Sequence, residues 1–213
     1  MNPFLSGKAT ALDLAKVHVR LRDARPAGAL MLRYFENHDI VTDQGADRDE
    51  IVLGNDACEA LLALCFTLDG TPFIFNGQEI ADKGVLKMFE KSPLDWTQAE
   101  TETGRTRTAL VRELASLRRA CAALTAGPAL WDPVMEGFAN LLAFEREACD
   151  GSRVAVYINY SKSDCALASV AARADLLLRR ASRAGDRLTL GPYGIAVVQA
   201  DSPKPKPKKE HRP

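Results

Sequence analysis

The chain has no long hydrophobic run. Its longest nearly uncharged apolar stretch, Ala60 to Leu68, is far short of the roughly 20 residues that a helix needs to cross a bilayer, and no basic-then-apolar leader opens the sequence. No membrane partner is expected. Cysteine is too scarce and too irregular to build with: Cys58, Cys65, Cys121, Cys149 and Cys165 are an odd set without a close pair. They make neither a disulfide framework nor a zinc site. His18, His38 and His211 are as scattered, so no metal is expected. No glycine-rich phosphate loop follows a strand in the required order, which leaves nucleotide cofactors without support. Net charge is also lacking, with 28 basic and 28 acidic side chains. Several of the basic ones crowd into the last thirteen residues, so the body is slightly acidic and has no electrostatic footprint for nucleic acid. What remains is 213 residues, 46% hydrophobic and 26% charged, a composition for one ordinary globular domain or two small ones.

Apolar residues at Leu14, Val17 and Leu21 follow the three-and-four spacing of a helix over Leu12 to Leu21, ended by Pro26 and Gly28. The run Ala29 to Phe35 is too short for a stable helix and reads as a buried strand. A second helix runs from Asp56, which would cap it with Glu59 closing a capping box, to about Leu68. Its apolar residues go nearly all the way round, as in a helix sandwiched between other elements. Pro72 to Phe75 is a second short strand. Arg105 to Leu124 is a further helix, stopped by Gly127 and Pro128. Beyond Trp131 the period changes to two, at Leu142 and Phe144, Val154 to Tyr160, Leu188 and Leu190, and Ile195 to Gln199. Turns at Asp150-Gly151, Gly185-Asp186 and Gly191-Pro192 separate these strands, the pattern of an antiparallel sandwich. The division expected is 1–132, 133–200 and a solvated Lys/Pro tail over 201–213.

Where strands and helices alternate, functional groups collect at the strand ends. The first strand ends in Arg33-Tyr34-Phe35-Glu36-Asn37-His38-Asp39, an amide, an imidazole and a carboxylate in succession, able to hold several hydroxyls of one polar ligand. Such a triplet alone is more often a turn closed by local side-chain to backbone hydrogen bonds. The second strand ends in Asn76-Gly77-Gln78-Glu79, where Gly77 allows a tight turn and Glu79 can buttress or bind; an isolated Glu there is more often a helix cap or surface acid. Arg33 is the one basic group nearby, suited to packing or an ion pair.

The conjunction of these segments resembles the alpha-amylase family of glycoside hydrolases (family 13). Residues 33–39 look like that family's fourth conserved region, and residues 70–79, with Gly70-x-Pro72, an aromatic and Gly77-x-Glu79, look like its last barrel strand. Ser92-Pro93-Leu94-Asp95-Trp96, Leu117-Arg118-Arg119 and Pro128-Ala129-Leu130 resemble segments that follow, in the same order. The resemblance spans about Ala29 to Ala200. It implies an α/β plus all-β fold: the last two β/α units of an incomplete TIM (β/α)8 barrel, then an antiparallel β-sandwich, domain C. It also implies that Asp39 clasps ring hydroxyls of an alpha-glucan or alpha-glucoside and stabilises the transition state, that His38 binds one of the same hydroxyls, and that Asn37 supports both. Tyr34 and Phe35 would pack in the barrel.

Retaining glycoside hydrolysis needs a carboxylate nucleophile and a second carboxyl as acid and base, about 5 Å apart. Asp39 is neither. The family carries both on earlier strands, whereas the acids before Arg33 are Asp13 and Asp23, and no Arg-x-Asp motif surrounds them. A complete barrel takes roughly 250 residues. The expectation is therefore an enzyme fragment, inactive alone, that needs no cofactor and works with a separately encoded amino-terminal half or survives as a truncated remnant. The rival expectation is a non-catalytic interaction or carbohydrate-binding protein that keeps part of the scaffold.

Overall fold

The computed structural model describes residues 4, 6–26, 28–42, 45–170 and 172–200. The tail expected over 201–213 lies outside them.

Helix α1, Ala11–Asp23, begins where the Thr10 side chain accepts from the Asp13 N–H and the Asp13 carboxylate takes the Thr10 N–H in return. This reciprocal cap satisfies two of the amides that a helix start leaves open. Strand β1 is only Leu32–Arg33 and strand β2 only Thr71–Pro72, paired in parallel in the register Leu32 to Thr71 and Arg33 to Pro72. Both are shorter than the apolar runs around them, because no other strand is paired with either among the described residues. Between them lie the short α2, Asp49–Val52, and α3, Asn55–Thr67.

The capping box expected at Asp56 and Glu59 is not formed. Helix α3 starts after Gly54 without a side-chain cap, because the Glu59 carboxylate is taken by Arg180 Nη1 at 2.6 Å, with Arg179 Nη2 at 3.5 Å. The expectation that α3 is surrounded does match the structure: from Ala57 to Thr67 every side chain but Leu64 is buried.

The next helix runs Glu102–Ala120 (α4) and breaks at Cys121 into a short α5, Ala122–Thr125. The rest of the described chain is one antiparallel sheet, built from β3 (Leu130–Trp131), β4 (Leu141–Glu147), β5 (Arg153–Asn159), β6 (Cys165–Leu167), β7 (Ala172–Ala184) and β8 (Arg187–Ala200). Among the described residues the strands expected in an antiparallel sandwich are thus antiparallel and joined through one hydrogen-bonded path. The sequence break at Gly191-Pro192 does not end a strand. Residues 191–194 of β8 instead bulge opposite Arg180 of β7, between the pairs Arg179 with Ile195 and Ala181 with Leu190. A proline is tolerated there because no ladder hydrogen bond is asked of it. On its other side β8 pairs with β5 through Ile195 to Gln199 and with β6 through Leu188 to Leu190.

One continuous core joins helices and sheet, running from Ala15, Leu62, Leu110 and Leu114 to Phe144, Ile158 and Val197. The junction is polar too. Arg118 of α4 donates to the carbonyls of Phe66, Leu68 and Gly70, Arg146 of β4 to those of Thr67, Ala126 and Gly127, and Arg33 of β1 to that of Asp69. Five consecutive carbonyls at the carboxyl end of α3 thus accept from guanidinium groups, where the helix dipole favours positive charge. Burial pulls the Arg146 group down to about 10.

Candidate functional site

The end of β1 and the loop after β2 are held together by buried charge. Arg48 is almost wholly buried and reaches Glu36 at 3.1 Å on one side and Asp82 at 3.3 Å on the other. Its guanidinium also lies 5.5 Å from the centre of the Phe75 ring. Glu36 Oε1 accepts from the Asp49 N–H at 2.5 Å, which ties the start of α2 to the strand end. A second buried pair, Arg107 with Glu50, anchors α4 to α2, and Arg107 also donates to the Gln78 carbonyl and to Asn55. In such a setting a lost partner leaves a bare buried charge, which is far more costly than the intact pair is stabilising.

Upon this base stand the residues singled out by sequence. Asn37 Oδ1 accepts from the backbone N–H of Asp39 at 3.2 Å and of Ile40 at 3.1 Å, closing a turn. His38 Nε2 lies 3.3 Å from Asp39 Oδ1, and the two side chains are 74% and 70% exposed. The imidazole and the carboxylate are therefore adjacent and open to a ligand, on a turn that its own asparagine closes. Tyr34 remains half exposed and meets Phe73 edge-on at 5.9 Å, linking the two strands. Gly77 adopts φ +95°, and a Cβ on it would stand 2.9 Å from Asp82 Cβ, so this tight turn has room only for glycine. Glu79 Oε2 accepts from the Gly77 N–H at 2.9 Å and so buttresses the turn. Arg33 pairs with Asp69 at 2.8 Å.

Asp49 stands apart. It is 8% exposed, and among the described residues its carboxylate has no hydrogen-bond donor. Burial first, then the charges of Glu36 and Glu50, push it up to about 6. It lines a groove of about 500 Å³ together with Leu14, Val17 and Leu21 of α1, Leu32 of β1 and Leu61 and Leu64 of α3. Glu36, Arg48, Asp49 and Asp82 were not singled out by sequence reasoning. Their signal was present only in Glu36, which directly precedes the Asn-His-Asp triplet.

Among the described residues no cluster of His, Cys, Asp and Glu is able to hold a metal ion, and no helix is long and apolar enough to cross a membrane. All five cysteines are free; burial pushes the Cys65 thiol up to about 12. Neither Asp13 nor Asp23 joins the site: the first caps α1 and the second pairs with Arg22.

No family model matches the chain. Alpha-amylase MalA of Haloarcula japonica is 28% identical over 163 residues, which cover 76% of this chain and 20% of that protein. Over that stretch the chain is similar to a protein of the alpha-amylase family. Solved structures show the same fold. Amy13B of Eubacterium rectale has a TM-score of 0.73 at 15% identity, over 93% of this chain and 45% of that one. An alpha-amylase from Lactobacillus plantarum has a TM-score of 0.71 at 18% identity, with the same coverages. An isomaltulose synthase mutant from Erwinia rhapontici, in complex with D-glucose, has a TM-score of 0.69 at 13% identity, over 89% of this chain and 46% of that one. The chain thus spans a fifth of the curated relative and a little under half of these solved structures. The family resemblance and the antiparallel carboxy-terminal sheet are common ground between sequence and comparison.

Proposed function

We propose that the chain is the carboxy-terminal part of a retaining alpha-amylase-like hydrolase or transglycosylase acting on alpha-glucans or alpha-glucosides. Residues 1–132 serve as its last two barrel units, residues 133–200 as its domain C, and 201–213 as a solvated tail. Asp39 clasps ring hydroxyls at the cleavage subsite, His38 binds one of them, and Asn37 holds the turn that presents both. Gly77 and Glu79 shape the neighbouring strand end. The observation that carries this reading is the exposed His38 and Asp39 pair at the end of β1, beside the end of a parallel β2, with α3 crossing between them.

A carboxylate suits that place. As the sugar becomes oxocarbenium-like its hydroxyls donate more strongly and a fixed negative charge gains in value. The nucleophile and the acid/base come from elsewhere, from an amino-terminal barrel half encoded separately or on a longer chain, so this polypeptide is inactive alone. The test is hydrolysis of soluble starch and a p-nitrophenyl alpha-glucoside, by the purified chain and by the chain co-expressed with the amino-terminal part of an alpha-amylase-family enzyme. The expected result is no hydrolysis alone, and hydrolysis on co-expression that Asp39→Asn abolishes. Glucoside cleavage by the purified chain overturns the reading. A folded monomer that binds maltotriose but gains no activity on co-expression favours a non-catalytic carbohydrate-binding protein.

A further inference from the structure

A parallel pair of strands is ordinarily buried on both faces and does not stand free as a two-stranded sheet. Here β1 pairs with β2 along one edge, and among the described residues its other edge is unpaired. The groove of about 500 Å³ takes its lining from α1, β1 and α3 and has no residue of β2 in it, so it belongs to the unpaired side of β1. Under the function proposed above, on which the inference rests, the amino-terminal barrel half covers this side. An apolar recess alone does not select what enters it; a buried charge does.

Beneath the end of β1, among the described residues, buried acids outnumber buried bases: Glu36, Asp49, Glu50 and Asp82 stand against Arg48 and Arg107. Arg48 is divided between Glu36 and Asp82, and Arg107 is taken by Glu50, the Gln78 carbonyl and Asn55. Both guanidinium groups are thus committed, and Glu50 Oε2 still has no partner. Asp49 is the acid of this set that lines the groove. The basic side chains in the same lining, His18 and Arg33, are both engaged by Asp69. A carboxylate on an apolar wall without a donor is costly until a cation meets it. We infer that Asp49 is the point of recognition in the groove: the amino-terminal half fills the recess with aliphatic side chains and lays the head of one lysine or arginine on the Asp49 carboxylate. A cationic head on an aliphatic stem matches both the recess and the acid.

Two measurements test it. In an amide NMR titration of the full chain with hexylguanidinium chloride, shifts are expected at groove residues such as Leu14, Leu32 and Leu64. Asp49→Asn weakens that binding about tenfold or more and leaves the binding of hexanol unchanged. The substitution keeps the backbone N–H that Glu36 accepts, so the local fold stands. The second measurement is co-purification with the amino-terminal part of the Lactobacillus plantarum alpha-amylase. There Asp49→Asn lowers the recovered complex about tenfold or more, whereas Asp164→Asn, an exposed acid between β5 and β6, does not. Hexylguanidinium bound no better than hexanol, or bound equally by Asp49→Asn, overturns the inference whatever becomes of the proposed function. A complex that forms as well with Asp49→Asn overturns the inference and leaves the proposed function standing. A parent chain that forms no complex overturns both.

Discussion

His18 Nε2 lies 2.6 Å from Asp69 Oδ1, while His18 Nδ1 accepts the indole N–H of Trp131 at 3.1 Å. One imidazole thereby joins α1, the loop before β2, and β3. Since Nδ1 must offer its lone pair to the indole, the ring proton resides on Nε2 and is donated to the carboxylate. Arg33 completes the group from β1. The aspartate and histidine pair has the look of a catalytic dyad, but with both ring nitrogens committed its work is to hold three segments together.

Trp131→Phe keeps the ring packing, which is edge-on to His18 and to Phe144, and removes only the donor. Chemical denaturation is expected to show a loss of about 1 kcal/mol, the usual net value of one hydrogen bond. A change within error would show that the contact adds nothing.

Acid should loosen the same group. Burial alone would raise the Asp69 carboxyl, but the hydrogen bond from His18 and the charge and hydrogen bond of the Arg33 guanidinium hold it at about 2 against an ordinary 3.8. A depressed carboxylate contributes stability that is complete above the unfolded value near 3.8 and is lost as pH falls through about 2. Thermal melts of the parent chain and of Asp69→Asn should therefore differ most above pH 5 and converge toward pH 2.

Asp49 has the opposite sign. Its raised value of about 6 means that ionising it in the fold costs stability as pH rises from near 3.8 through 6. Asp49→Asn is expected to stabilise the chain by about 1 to 2 kcal/mol at pH 7.5, after discount for its partial solvent contact, with no gain below pH 4. Urea titrations of monomeric protein at the two pH values decide the matter.

The clasp between α3 and the sheet rests on Glu59, 1% exposed, and the arginines of β7. Arg180→Met removes the nearer partner and leaves a buried charge with only Arg179 beside it. The expected loss is about 2 to 4 kcal/mol, larger than for Glu59→Gln, whose freed arginines can turn to water.

Asp39→Asn, by contrast, should leave stability within about 0.5 kcal/mol, because the side chain is exposed and holds up nothing in the core. A large loss on thermal unfolding would mean that the triplet is structural.

Much of this architecture was legible in the sequence because its signals were local. The spacing of Leu14, Val17 and Leu21 and the near-continuous apolar surface of residues 57–68 gave α1 and α3, and alternation gave β4, β5 and both ends of β8. The strand β7 escaped because Arg179, Arg180 and Arg183 interrupt its apolar pattern; the first two are turned to use by Glu59, far away in sequence. Likewise Glu59 looked like a local cap until a distant partner claimed it. The candidate triplet Asn37-His38-Asp39 was visible as a motif, whereas the Glu36, Arg48 and Asp82 network beneath it joins residues up to 46 apart in sequence, and no periodicity reports such a meeting.

The row of carbonyls from Phe66 to Gly70, fed by guanidinium groups from β1, α4 and β4, bears on how the molecule comes apart. No one of those elements can peel away without stripping acceptors that the others leave buried. The helical and sheet portions should accordingly melt in a single cooperative step, and the slowest-exchanging amides of α3 should report the global opening of the whole chain, not the fraying of one part.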